Sequence, residues 1–542
     1  MSKSIPGIIL ISAIFASIVF QIQEKRIPTP KFETETEALD ALAFLSAING
    51  YPHQDFQPGS YAKAFEKFNA LYKKSGSSRE EDSWKNVGPN NVGGRTVSIA
   101  INPVDTNIVW LGAASGGLWK STTGGIGINA WQNIPTGFEV LGVGAIAINP
   151  NNTNEMFIGT GETYSYGTNS MGLATRTERG SYGIGILKSD DGGITWEKSL
   201  DWSYAENRGV WEILYNPLDT NILYAATTEG VYKTTDGGDN WENIMAVKMI
   251  MDMEMDRTSG DIIYAAAGNL VSEDKGIYKS TDAGATWELL TTGLPVYTHD
   301  GRITITASET NYNKLWAIIG NALSTVGVYY SNNAGDSWTL IDNTNIVSYQ
   351  GWFAKGLLIN ANDEDEILAG GVELFKSTNG GNSFTQITTY TGPDSYVHPD
   401  HHGLISNPLD PEKVYDINDG GLFRSNDFGE TWYSCNDGYV TSQFYIGSVS
   451  SQTNDVGLGG LQDNFTQRYD GTNYWIAVIG GDGTYNAINY EDDQIQYGAY
   501  QYLGIIKSYD QGYNFYESMS TGSSNAFLAP YIMSESDPEI IY

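Results

Sequence analysis

Three of the five histidines of this 542-residue chain fall in one stretch, Val397-His398-Pro399-Asp400-His401-His402-Gly403. Imidazole beside carboxylate suits proton transfer, and either group suits a divalent cation. Asp419 follows in Asp416-Ile417-Asn418-Asp419-Gly420-Gly421, and two more acids stand in Gly459-Gly460-Leu461-Gln462-Asp463-Asn464 and Gly480-Gly481-Asp482-Gly483. Glu162 holds a comparable place earlier, in Gly159-Thr160-Gly161-Glu162. Glycoside hydrolysis needs two carboxyl groups about 5 to 9.5 Å apart, one as acid and one as base or nucleophile. The candidate catalytic acids are therefore Asp463, Asp482, Asp419 and Glu162, with Asp400 beside them. Asp400, His401, His402, Gln462 and Asn464 are candidate binding residues. Arg95, Arg208 and Arg302 add three guanidinium groups, the type that grips a substrate carboxylate bidentately. His401 and His402 point to opposite faces of a strand, so a cation here, calcium among them, would take one His with Asp400, Asp463 or Asp482. The alternative is a His-Asp pair that buttresses turns, and the Gly-Gly-Asp and Asn-Asp-Gly-Gly stretches are also ordinary tight-turn sequences.

These residues must be positioned by a repeat. From Trp84 onward an octad of the form Ser/Thr-x-Asp-x-Gly-x-x-Trp/Phe recurs, at Ser189 to Trp196, Thr234 to Trp241, Ser280 to Trp287, Ser425 to Trp432 and Ser508 to Phe515. Its acids are Asp191, Asp236, Asp282, Asp427 and Asp510, with Asn333 and Asn379 replacing Asp in two further copies and degenerate copies ending at Trp131 and Trp475. The octad glycines Gly193, Gly238, Gly284, Gly335, Gly381 and Gly429 lie 45, 46, 51, 46 and 48 residues apart by subtraction, the length of a four-stranded propeller blade. Asn-Pro turns at Asn102, Asn149, Asn216 and Asn407 complete the unit, each leading into an apolar strand. The octad's chemistry is that of a turn: Asp and Ser/Thr side chains bond nearby backbone, and Gly supplies a conformation that a Cβ forbids. Innermost strands are expected to begin near Arg95, Val143, Arg208, Met249, Arg302, Trp352, His402, Phe444, Gly483 and Phe527. The candidate residues then sit at or near the start of these strands, facing a central channel.

The octads resemble the Asp boxes, or BNR repeats, of sialidases, sortilins and two-propeller xyloglucan-active endoglucanases. With the motifs His-Pro-Asp-His-His, Gly-Gly-Leu-Gln-Asp-Asn and Gly-Gly-Asp-Gly, the span from about Trp84 to Tyr542 is similar to the Asp-box propellers of exported Bacteroidetes-type proteins. That resemblance implies an all-β, multi-bladed β-propeller of four-stranded antiparallel blades, whose boxes are structural and lie away from the ligand face. It implies one propeller of about ten blades, as in sortilins, or two smaller ones. In the two-propeller case residues 84–434 form the first, of about seven blades, and residues 435–542 the start of a second or a continuation. The xyloglucan-active family carries a catalytic Asp just before a Gly-Gly pair in its first blade. The matching stretch here, Ala113-Ala114-Ser115-Gly116-Gly117, has no carboxylate, whereas Asn418-Asp419-Gly420-Gly421 keeps one. A sialidase would need three converging Arg; Arg95, Arg208 and Arg302 fall in blades one, three and five, and the Arg-Ile-Pro signature of that family is absent.

The 30 Lys+Arg against 64 Asp+Glu give a formal charge of −34, which repels phosphate backbones and excludes nucleic acid as the expected partner. Met1 to Phe20, basic and then apolar, reads as an export signal or anchor over residues 1–22. Helical spacing at Ala38 to Leu45 and Tyr61 to Leu71 predicts a short helical lead-in over residues 23–83. A lone cysteine, Cys435, allows no intramolecular disulfide. The last residues, Ser536 to Tyr542, open a further strand without its octad, which reads as a truncated array. The first expectation is an exported propeller that binds an extracellular glycan or protein through its channel face. The second is a glycoside hydrolase acting on a plant or algal polysaccharide, with a sialidase third.

Overall fold

Every full octad closes on itself by the same short hydrogen bonds. In the first, Asp191 Oδ1 accepts from the backbone N–H of Ile194 (3.0 Å) and Thr195 (2.8 Å), and its Oδ2 accepts from the Thr195 hydroxyl (2.6 Å). The Ser189 hydroxyl donates to Asp191 (2.9 Å) and accepts from the N–H of Gly193 (2.9 Å). Gly193 is left-handed at φ +86°, and a Cβ there would stand 2.5 Å from the Trp110 ring. Asp236, Asp282, Asp427 and Asp510 repeat the arrangement. Asn333 and Asn379 reproduce it through their carbonyl oxygen, which accepts from the N–H of Ser337 (3.1 Å) and Ser383 (3.0 Å). The bonds from Thr195 and Asn240 hold the carboxyls of Asp191 and Asp236 down at about 2. Carboxylate-dependent stability is therefore present above the unfolded value near pH 4 and lost as pH falls through about 2. Asp191→Ala is expected to lower the thermal midpoint measurably at pH 7. Asp191→Asn is expected to lower it far less, because two native boxes use Asn; equal losses in thermal unfolding would refute this account of the turn.

The computed structural model describes residues 59–75, 85–140, 142–164, 181, 183–205, 208–270, 272–295, 298–390, 396–519 and 525–542. Among them are nine four-stranded antiparallel sheets with strands in sequence order, the meander of a propeller blade. The first runs through Thr96–Ile101, Val109–Ala113, Leu118–Ser121 and Gln132–Ile134. The innermost strands of the next six are Val143–Ile148, Val210–Tyr215, Ile250–Met255, Ile303–Ala307, Leu357–Ile359 and His401–Asn407. The sixth starts at Leu357 rather than near Trp352, because a 3-10 turn at Ser348–Gln350 sends Trp352 and Phe353 into a buried cluster. Asn102 shows how the Asn-Pro turns work: its Oδ1 accepts from the N–H of Val104 (2.9 Å) and Asp105 (3.0 Å).

Contacts divide the described residues into two units, one ending at Gln443 and the other beginning at Phe444. The first unit holds seven sheets closed into a ring. Blades 1 and 7 share one core, with Val109, Leu111, Trp119 and Trp131 packed on Tyr415, Ile417, Leu422 and Tyr439. The chain after blade 7 tightens the seam: the Trp131 indole donates to Cys435 O (2.7 Å), Gly438 N to Asn90 O (2.8 Å) and Gly94 N to Thr441 Oγ1 (2.9 Å). The division thus falls after Gln443, beyond the Trp432 end of the last octad. Helix Ser60–Ser75 belongs to this unit, where Glu66 accepts from the Tyr204 hydroxyl (2.5 Å).

In the second unit, sheets led by Phe444–Val449 and Asn486–Ile488 pack through Leu458, Val478, Ile479, Ile488 and Ile506. Near Phe527 there is no ladder among the described residues, only an isolated bridge between Met533 and Ile541. The expected signal segment and the helix over Ala38 to Leu45 lie outside the described residues. No described helix is long and apolar enough to cross a membrane.

Candidate functional site

In blade 7 the strand His401–Asn407 pairs with Asp410–Asn418, with His401 opposite Asn418 and a bulge between His401 and Gly403. A bulge re-aims side chains, and here it gives each imidazole its own acid. Nδ1 of His401 lies 2.8 and 2.9 Å from the two oxygens of Asp416, whose Oδ2 also accepts from the Asn418 amide (2.8 Å). Nε2 of His402 lies 2.6 Å from Asp419 Oδ1. His398 completes the group, its ring seated where a Cβ on Gly420 would otherwise stand. Burial holds His402 below the ordinary imidazole value, while its contact with Asp419 pulls the other way. Asp400 is left-handed at φ +64°, and one of its carboxylate oxygens lies within 4.8 Å of one of Asp419. Asp400 and Asp419 are the pair in this unit that could share a cation, although calcium takes roughly six to eight oxygens.

The centre of the ring is filled. Arg95 of blade 1 forms a buried ion pair with Glu162 of blade 2, its Nε 3.2 Å from Oε1. Tyr164 donates to the same Oε1 at 2.5 Å. Tyr164 packs on Trp211 of blade 3, on Met249 and Met251 of blade 4, and on Trp352 and Phe353 of blade 6. Arg302 of blade 5 donates to Phe353 O (2.8 Å) and lies over the Trp211 ring at 4.8 Å. His402 of blade 7 meets the edge of Phe353 at 4.5 Å between ring centroids. All seven blades thus contribute to one plug. Arg208 stands apart, half-buried over Trp202 with its Nε 3.5 Å from Glu229, so the three arginines do not converge on one anion.

Below the plug lie residues that the motif reading passed over. Glu212, Asp252 and Glu254 interrupt the apolar innermost strands of blades 3 and 4. Each accepts a backbone N–H from the free edge of the next blade's innermost strand: Met253 to Glu212 (2.7 Å), Ile305 to Asp252 (2.8 Å) and Ala307 to Glu254 (3.0 Å). Lys355 pairs with Asp252 at 2.5 Å. The signal was available, since acids alternating with Met in Ile250–Met255 have no place on a purely apolar strand. Burial, then the neighbouring Asp252 carboxylate, raises Glu212 to about 8. A carboxyl whose folded value is raised stabilises fully below its unfolded value near pH 4 and progressively less as pH rises toward 8. Glu212→Gln is expected to flatten that decline and to leave the variant more stable than wild type at pH 8.5. Parallel urea-midpoint profiles of the two proteins between pH 5 and 8.5 would contradict it.

Within the second unit the remaining candidates also gather. Phe465 N donates to Gly481 O (3.1 Å) and Gly483 N to Leu461 O (3.0 Å), which joins the loop of Gln462, Asp463 and Asn464 to that of Asp482. Asp482 accepts from Tyr445 (3.2 Å) and Gln501 (3.2 Å). Asp463 is left-handed at φ +58°. The Asn464 amide donates to Gln462 O (3.1 Å). In blade 1, at the turn corresponding to that of Asp419, Ser115 accepts from Gln443 (2.7 Å).

The BNR/Asp-box repeat family matches residues 187–198. The xyloglucanase of Hypocrea jecorina is 25% identical over 377 residues, 65% of this chain and 39% of that protein. A xyloglucanase of Acetivibrio thermocellus is 28% identical over 175 residues, 30% of this chain and 19% of that protein. The chain therefore spans well under half the length of these curated relatives. Among solved structures, a GH74 enzyme from Niastella koreensis matches with a TM-score of 0.58 at 18% identity, over 81% of this chain and 68% of that one. The GH74 xyloglucanase from Xanthomonas campestris matches with a TM-score of 0.60 at 14% identity, over 82% and 70%. At these identities the structural likeness speaks for the fold: an all-β array of Asp-box propeller blades.

Proposed function

We propose that this chain is a glycoside hydrolase that acts on a xyloglucan-type polysaccharide, with Asp419 as one of its two working carboxylates. The observation that carries this is the His402–Asp419 contact of 2.6 Å, which orients a carboxyl group in a buried turn with a second acid, Asp400, beside it. Two nearby carboxyls cannot both ionise freely, which suits one to the part of acid and the other to that of base. Asp419, held by His402, is the base or nucleophile and Asp400, in the same unit, the candidate acid; Asp463 and Asp482 stand as separate candidate carboxylates within the second unit. The substrate class is taken from the xyloglucanase relatives. A polysaccharide substrate is met outside the cell, and the basic and apolar start of the sequence supports export.

The test is reducing-sugar release from xyloglucan by the full chain and by Asp400→Asn, Asp419→Asn, Asp463→Asn and Asp482→Asn, made singly. Removing an acid or base of the reaction is expected to cost about 10²- to 10⁴-fold. No release by the wild-type protein from xyloglucan or other β-glucans would sink the hydrolase reading. The plugged channel and Ser115 in blade 1 favour a second reading, a propeller that holds an extracellular glycan or protein without cleaving it. Retention on xyloglucan without turnover would select it.

A further inference from the structure

The ninth sheet's Asp box differs from the others in what it presents to solvent. The second, sixth and ninth positions of the motif, counting the residue after the octad, are exposed in all seven full copies. In the other six boxes those positions, three in each, carry Asp, Glu, Asn, Thr, Ala and one Ile, with a single aromatic, Tyr433. In the box Ser508 to Phe515 all three are tyrosine: Tyr509, Tyr513 and Tyr516, which are 46%, 54% and 57% exposed. Their exposure is thus a property of the motif, and their identity is what sets this copy apart.

The turn that bears them is anchored from beneath. Arg468, 1% exposed, donates from Nε to Gln511 O (2.7 Å) and lies 3.7 Å from the centroid of the Tyr513 ring. Lys507 lies 4.6 Å from the Tyr509 centroid. Gln511 donates to Asp493 (3.0 Å), and Asp510 ties the turn through Asn514 (2.8 Å). A cation thus lies against each of these two rings, whose residues are about half exposed. Tyrosine offers a broad, rigid ring face with a polar edge at low conformational cost.

We propose that Tyr509, Tyr513 and Tyr516 form a binding platform for a neutral polysaccharide chain. Flat ring faces stack on the C–H faces of sugar rings, and the hydroxyls meet sugar hydroxyls. The formal charge of −34 favours a neutral polymer over an anionic one. The ligand class rests on the function proposed above; the platform itself rests on the tyrosines.

The test is retention of the full chain in gels containing xyloglucan or hydroxyethyl cellulose, with the triple variant Tyr509→Ala/Tyr513→Ala/Tyr516→Ala. Retention is expected to weaken by roughly fivefold or more, while turnover of a short xyloglucan oligosaccharide and the thermal midpoint stay at wild-type values. The triple Tyr→Phe variant should keep most of the retention. Unchanged retention of the Ala variant overturns the platform and leaves the hydrolase reading standing. Lost retention in a protein that cleaves nothing supports the platform and removes the hydrolase reading. No retention of the wild-type protein in either gel overturns the platform. So does unchanged retention with loss of self-association by light scattering, which would assign the tyrosines to a second copy of the chain.

Discussion

Glu162→Ala is expected to destabilise the first propeller by about 3 to 5 kcal/mol, the cost of leaving a buried charge without its partner. Both side chains of the Arg95–Glu162 pair are at most 1% exposed, so water cannot replace the lost carboxylate. The substitution also strips the Tyr164 hydroxyl of its acceptor. Glu162→Gln, which keeps the shape and one acceptor but loses the charge, should fall between wild type and Ala. A double replacement, Arg95→Met with Glu162→Leu, should recover most of the loss, because an apolar pair of similar volume avoids desolvating two ions. Urea unfolding followed by tryptophan fluorescence measures all four proteins. A Glu162→Ala midpoint equal to wild type would refute the plug as a structural element, and a loss of turnover without loss of stability would return Glu162 to the catalytic candidates.

Tyr439→Ala should cost a comparable amount, about 3 to 5 kcal/mol for a large aromatic removed from a core. Tyr439 is fully buried and seals the seam between the first and last blades of the ring, 5.3 Å from Trp119 and 5.5 Å from Trp131 between centroids. Its hydroxyl lies 2.9 Å from Thr96 Oγ1. Tyr439→Phe keeps the packing and forfeits the hydroxyl's bonds to Thr96 and Thr441, worth about 0.5 to 1.5 kcal/mol each. Because residues 435–443 hold the seam, a chain ending at Trp432 should be less stable than one ending at Gln443. Equal midpoints for those two chains would show that blade packing alone closes the ring.

What the sequence made legible was whatever is local. Asp191, Asp236, Asp282, Asn333, Asn379, Asp427 and Asp510 sit in their boxes as the turn chemistry requires, because every bond in the box spans four residues or fewer. The innermost strands starting at Thr96, Val143, Val210, Ile250, Ile303, His401 and Phe444 fall within two residues of expectation, since apolar runs and Asn-Pro turns mark their ends. The sixth did not, because Trp352 and Phe353 answer to Tyr164 and Trp211, far away along the chain. The pairing of His402 with Asp419 and of His401 with Asp416 was equally hidden. Their nearness was readable, but which imidazole takes which acid depends on the bulge in the strand register. Arg95, Arg302 and Glu162 sit at or near the starts of innermost strands as expected, yet their partners come from other blades, and no spacing in the sequence encodes those distances.

The plug has a consequence for how the ring opens. In a linear repeat array each unit touches only its neighbours, and a terminal unit can unravel while the rest holds. Here the hub receives Arg95, Tyr164, Trp211, Met251, Arg302, Phe353 and His402, one residue from each blade in turn. Displacing any blade therefore disturbs the hub that the other six share. Amide protons of the innermost strands should exchange together, through one concerted opening, while the exposed Asp-box turns exchange locally and early. The seven blades are expected to behave as a single foldon with frayed rims, and the hub beside Asp419 to be its slowest-opening part.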